Sequence, residues 1–492
     1  MPGTRRPSTL TTAAAAPVAE PRYALTAGPR GPILLQDHQL IENLAYLARE
    51  RIPERVLHAK GAGALGTLEI TGDIAQHTVA QVLQPGARTP VLVRLSGLTG
   101  ERGAADAERD VRGFAMKAYT PEGNWDLVGS SLPVACIRDP HKFPDLIRAL
   151  KRHPVSHLRS PTALWDFWSL SPESMHQVLM LFADRGLPWS YRHMHAYGVH
   201  AFGLVDAQGR RSWVKFHFRT AQGIRNLHGA QARELIGRDR DSAHRDLFEA
   251  IERGEHPAWT LHVQHMSEAA AAAQRHNPFD PTRVWPHAEF PLVEIGRLVL
   301  ARNPDNHFAQ VEQASFNPGN LVPGLCVSPD KLLQGRLLAY ADAQRYRVGT
   351  HHAALPVNLP HAPVHTYHAD GAMRLDIPPR TDAYYAPNSF GGPRPDARHA
   401  EPALPLEGPA DRFDDRAGED DFDQPRAFYR RLDAGERERL WAHLAEAMVG
   451  AQPLIARRQV EQFRRVDDAL ADAVAERLDA LAAGSRQDAP TD

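Results

Sequence analysis

Between Gln36 and Arg51 apolar residues recur at Leu40, Ile41, Leu44 and Leu47, a helical spacing that Pro53 ends. Strand-length apolar runs follow. They are Gly66–Ile70, Pro90–Leu95, Val199–Leu204 and Ser212–Phe218, and glycines stand in or beside several of them. Residues 140–186 carry helical patterns. Near the end, Leu440, Leu444 and Met448 mark one amphipathic helix, and Val466, Leu470, Val474 and Leu478 another. Before Gln36, residues 1–30 are small and aperiodic and read as an extended arm; residues 389–425, rich in Gly, Pro and Asp, read as a long surface connection. The mixture predicts an α+β chain, an antiparallel sheet or barrel interrupted by helices.

Composition narrows the partners. With 492 residues the chain exceeds the usual size of one domain. Its 57 Lys plus Arg against 59 Asp plus Glu give no net charge that favours nucleic acid or an anionic membrane. Cys136 and Cys326 are too few for a disulfide scaffold, which fits a reducing compartment. No apolar stretch is long enough to span a membrane, and the N-terminus lacks a secretory apolar core. The expectation is a soluble, cytoplasmic protein.

Three strings carry chemistry. In Arg49–Gly63, read alone, a polar helix end leads into a Gly-rich turn, with Gly61 and Gly63, that exposes His58. A lone histidine there is usually structural. In Gln334–Arg347, Arg336 and Tyr340 stand four apart, on one helical face. A cation beside a phenol favours the phenolate, the form that ligates ferric iron; the alternative is a tyrosine packed on the core. The third string, Asn124–Pro133, reads as a turn entering a strand.

Together these strings resemble the heme catalases of the small-subunit type. Gly31–Asp37, Arg109–Phe114, Trp165–Ser174, Asn277–Pro281, Val284–His287 and Asn317–Gly324 extend the likeness, in one order, from about residue 24 to about residue 480. The resemblance implies the catalase fold: an eight-stranded antiparallel barrel with an N-terminal arm (1–57), a haem-binding barrel with a helical insertion (58–302), a wrapping segment (303–418) and a C-terminal helical domain (419–492). It implies haem b, with Tyr340 as the iron's axial ligand, Arg336 beside it, and His200 and Asp330 in a proximal charge network. His58 becomes the distal base and Ser96 its orienting partner. Arg55, Arg94 and Arg347 would meet the haem propionates, Phe143 the macrocycle, and Asp110 the channel. NADPH is implied at His176, Arg185, Arg219, Trp285 and His287, with Arg219 standing where the family has Lys. His195 and Ala183 depart there from Asn and Ser. A homotetramer is implied too.

The chain also departs from the pattern on one side of the haem. Ser130 stands for the distal Asn, Ala135 and Cys136 for two Phe, and Leu146 for a third aromatic. Leu57, Gly97–Leu98, Leu338 and Leu47 are further differences. Losing rings from a packed wall widens it unless other side chains refill the space. Three functions follow: hydrogen peroxide disproportionation, which leads; oxidation or rearrangement of an organic substrate; and haem binding or storage. Storage needs neither a base nor its orienting serine.

Overall fold

The computed structural model describes residues 8–487; residues 1–7 of the expected arm and 488–492 of the expected C-terminal region lie outside them. Two compact units divide the chain, one ending at Glu54 and the other starting at Arg55. In the first, helix His38–Leu47 is capped by Asp37, whose carboxylate accepts from the Leu40 N–H at 3.2 Å and the Leu25 N–H at 2.8 Å. None of this helix's residues is buried, and Leu44 is 63% exposed.

The second unit is built on strands β1 (Gly61–Ile70), β2 (Arg88–Gly97), β3 (Arg112–Thr120), β4 (Gly123–Ser130), β5 (Ala196–Tyr197), β6 (Phe202–Val205), β7 (Arg211–Thr220), β8 (Ala258–Ser267), β9 (Val293–Arg302) and β10 (Leu325–Val327). Pairing runs β7-β5-β4-β3-β2-β1-β9-β8 and returns to β7, a closed antiparallel barrel of eight strands; β6 and β10 extend it beside β7. Closure removes free edges from these eight strands. Alternation sets the faces. Val91, Val93 and Leu95 point into the barrel core with Phe114, Met116, Trp125 and Leu127, which leaves Arg94, Ser96, Gly113, Ala115 and Ser130 on the opposite face.

Between β4 and β5, helices Phe143–Leu150, Pro161–Leu170 and Met175–Phe182 leave the barrel. The last two share an apolar core with the C-terminal helices through Trp165, Phe182, Leu440, Leu444, Phe463 and Leu470. Helix Lys331–Arg347 begins at Asp330, whose carboxylate accepts from the Leu333 N–H at 3.1 Å. No helix among the described residues is long and apolar enough to cross a membrane.

Four local expectations are corrected. Gly61 and Gly63 lie in β1, not in a turn; a Cβ would come 2.5 Å from the Leu95 carbonyl oxygen at Gly61 and 2.6 Å from Val311 at Gly63. Close packing, not turn geometry, requires these glycines. His58 is not exposed but half-buried. Asn124–Ser130 is strand first and turn afterwards. The expected strand Val199–Leu204 also starts later, at Phe202, because Val199 takes a positive φ of 64°.

Candidate functional site

Backbone register lines up Gly61, Ser96, Gly113 and Ser130 as one row across β1–β4. His58 sits against it. Its N–H donates to the Leu98 carbonyl at 3.0 Å, and its φ is 62°, an uncommon conformation for a residue with a Cβ. Nδ1 lies 2.9 Å from Ser96 Oγ. With the proton on Nδ1, donated to Ser96, Nε2 keeps a lone pair able to take a proton. Burial, reinforced by Arg94, Arg336 and Arg55, pushes the imidazolium pKa down to about 3, so the ring is neutral across the physiological range.

Sequence reasoning missed Gly113. A Cβ there would lie 2.5 Å from His58 Nδ1 and 2.6 Å from Ser96 Oγ, so only glycine leaves room for this pair. The signal was available: a glycine inside a strand pattern marks a close approach. Ser130, in the same row, donates to the Leu132 carbonyl at 2.8 Å, which commits its proton to its own turn.

Two residues further along, on the same face, the row is Arg94, Ala115 and Val128. Tyr340 packs there with Leu65, Ala115, Val128 and Phe316. Arg336 donates one Nη to the Tyr340 hydroxyl at 2.8 Å and to the Val128 carbonyl at 3.0 Å. The guanidinium thereby holds the phenolic oxygen in a fixed direction. His200 and Asp330 pair at 2.5 Å, both buried, and the same carboxylate caps the Tyr340 helix.

A π-helical turn, Phe308–Glu312, offers its carbonyls to the cations. Arg55 donates to the carbonyls of Val311, Glu312 and Ala314, and Arg347 to that of Glu312. Arg55, Arg94 and Arg347 approach the Glu312 carboxylate at 3.7, 4.0 and 4.0 Å. Arg55 Nη1 and Arg94 Nε are buried without a hydrogen-bond partner among the described residues. Three guanidiniums around one carboxylate, with two idle donors, fit a ligand that brings two carboxylates, as a haem does.

Phe143 joins Ala135, Cys136, Ile137, Leu146 and Leu332 in an apolar cluster. Asp110 is buried, accepts from the Thr99 N–H at 2.7 Å, and is pushed upward in pKa chiefly by burial. Asp110, Leu98, Cys136 and Leu146 all line one cavity of about 480 Å³. Leu338 is 75% exposed and does not refill that wall.

The remaining candidates divide. Arg185, Arg219 and His287 are exposed. Burial, then Arg219 and Arg185, lowers the His195 pKa to about 4, which puts those cations in one neighbourhood with it. Arg185 stacks over Phe428 at 5.7 Å. His176 and Trp285 are instead buried, with Trp285 Nε1 donating to the Pro278 carbonyl at 2.9 Å.

Comparison with known proteins places this geometry. The family model described as catalase matches residues 11–392, and that described as catalase-related immune-responsive matches 415–478. Catalase A of Pseudomonas putida is 52% identical over 476 residues, 95% of this chain and 98% of that one. A catalase of the Onchocerca volvulus endobacterium is 51% identical over 96% of this chain and 98% of its own length. Among solved structures, a fungal catalase superposes with a TM-score of 0.93 at 39% identity, covering 96% of this chain and 97% of its own.

Proposed function

The chain belongs to the catalase family, and from that premise we propose that it converts two molecules of hydrogen peroxide into two of water and one of oxygen. A haem b, when bound, supplies the iron centre through which electrons pass from one peroxide to the other. What supports a haem in this chain is the donor set: the Tyr340 oxygen on one row of the sheet, and the idle Arg55 and Arg94 donors near Glu312. Phe143 offers it an apolar contact.

The protein's own work is proton handling. Neutral His58, held through Nδ1 by Ser96, takes a proton from peroxide at Nε2 and returns it to the departing oxygen as water forms. Arg336 donates to the Tyr340 oxygen and fixes its direction, and Asp330 fixes both His200 and the start of the Tyr340 helix. Asp110 lies along the approach. Ser130, its proton held by Leu132, serves as an acceptor only. The observation that carries the reading is the pair of bonds, Ser96 to His58 and Arg336 to Tyr340, on two same-face rows of one sheet.

Oxygen release from peroxide by the purified, haem-loaded protein tests this reading. Oxidation of an organic substrate in place of disproportionation is not favoured, because relatives half identical over almost their whole length are catalases. The exposed Arg185, Arg219 and His287 suit the phosphates of NADPH, and calorimetry with NADPH checks that. The unburied helix of the first unit suits exchange between subunits of a homotetramer in the cytoplasm; light scattering reads the assembly.

A further inference from the structure

Arg109 keeps one of its donors unused in a buried place. Its Nη1 donates to the carbonyls of Leu181 and Ala183, both at 2.9 Å, whereas Nη2 is buried with no hydrogen-bond partner among the described residues. The carboxylates around it have other partners. Asp184 is held by Arg439 at 2.7 Å, Glu446 by Arg233 at 3.2 Å, Glu108 by Arg159 at 3.9 Å, and Asp110 accepts from the Thr99 N–H. Asp184 and Glu446 favour the Arg109 charge through space and Arg112 opposes it, but none of the three bonds Nη2. A guanidinium donor left unpaired in a desolvated place is costly, and an anion that reaches it recovers part of that cost.

The same side chain lines the 480 Å³ cavity. Its walls are mostly apolar, with Leu98, Cys136, Leu146, Leu164, Phe182 and Ile236, while Arg159, Arg233, Glu446 and His443 also line it. A volume of this size, apolar walls and a few fixed polar groups are the ordinary make-up of a small-molecule site.

We propose that this cavity binds a monocarboxylate with an apolar body, its carboxylate on Arg109 and its chain against Leu146, Leu164 and Ile236. At the inner end stand Asp110 and Leu98, the latter accepting the His58 N–H, so an occupied cavity obstructs the approach to His58. That obstruction rests on the catalase reading; the binding itself does not.

Octanoate is the probe and octanol its neutral control, titrated calorimetrically into the haem-loaded protein, with inhibition of oxygen release measured in parallel. One site for octanoate is expected. Loss of the charge-assisted bond in Arg109→Met, or its absence with octanol, weakens binding by about tenfold or more. Ile236→Trp, which puts a larger side chain into the cavity without changing the Arg109 charge, removes octanoate binding; it decides the matter if Arg109→Met does not fold. Absence of binding at millimolar octanoate, equal affinity for acid and alcohol, or binding untouched by Ile236→Trp overturns the proposal. Octanoate binding in a protein that releases no oxygen would instead refute the catalase reading and leave the site standing.

Discussion

Arg336 and Tyr340, one helical turn apart, are joined by a 2.8 Å hydrogen bond from guanidinium to phenolic oxygen, with the guanidinium carbon 5.0 Å from the ring centre. Arg336 is anchored by the Val128 carbonyl, so the barrel fixes the direction of the phenolic oxygen. Removing that oxygen in Tyr340→Phe is expected to leave the fold intact and abolish normal haem retention. Haem content per protein and the ferric absorption spectrum check this; unchanged values would falsify Tyr340 as the ligand.

Gly113→Ala tests the distal side without altering either polar group. The new methyl competes for space with His58 and Ser96, so the imidazole must turn. Positioned acid–base help is worth about 10²–10⁴-fold, and peroxide turnover is expected to fall by about a hundredfold with haem content preserved. Turnover at the parental rate would show that the tight packing of these three residues is not needed.

Ser130→Ala should matter far less. Its hydroxyl bonds Leu132, and an ordinary hydrogen bond contributes about 0.5–1.5 kcal/mol to stability. A slightly lower melting temperature with turnover within a few-fold of the parent is expected. A loss as large as that of Gly113→Ala would give the Ser130 hydroxyl a direct part in the reaction. In the widened wall, Ser130→Asn with Ala135→Phe and Cys136→Phe is expected to shrink the cavity and reduce octanoate binding, as calorimetry reads it.

Protonation sets two pH responses. Because the His58 pKa is lowered to about 3, its base form persists, and turnover should show no step near the ordinary histidine value of 6.5. Stability behaves differently. His58, His176 and His217 all titrate lower when folded, to about 3, 4 and 3, mainly through burial. Between those values and 6.5 the unfolded chain binds more protons, so stability is present above 6.5 and is lost as pH falls. Melting temperature against pH, from 8 down to 4, is expected to fall continuously below about 6.5.

Much of this was legible in the chain because the strings around His58 and Tyr340 are local. The four-residue interval from Arg336 to Tyr340 already implied contact. Barrel strands were readable where β-branched and aromatic residues alternate, as in Ser212–Phe218. Gly113 escaped because a glycine in a strand only hints at a close approach, while what it meets depends on the register of β2 and β3 and on a histidine 55 positions earlier. Glu312 escaped for the same reason: it reaches Arg55 and Arg94 across hundreds of positions. Gly61 and Gly63 misled because close packing and turns both select glycine.

The most direct test of the central claim is an oxygen-electrode measurement on haem-loaded protein given hydrogen peroxide, run beside His58→Ala with equal haem content. One oxygen released for every two peroxides consumed, with the rate in His58→Ala lower by about 10²-fold or more, is the predicted result. Peroxide consumed without oxygen, or equal rates in the two proteins, would contradict it.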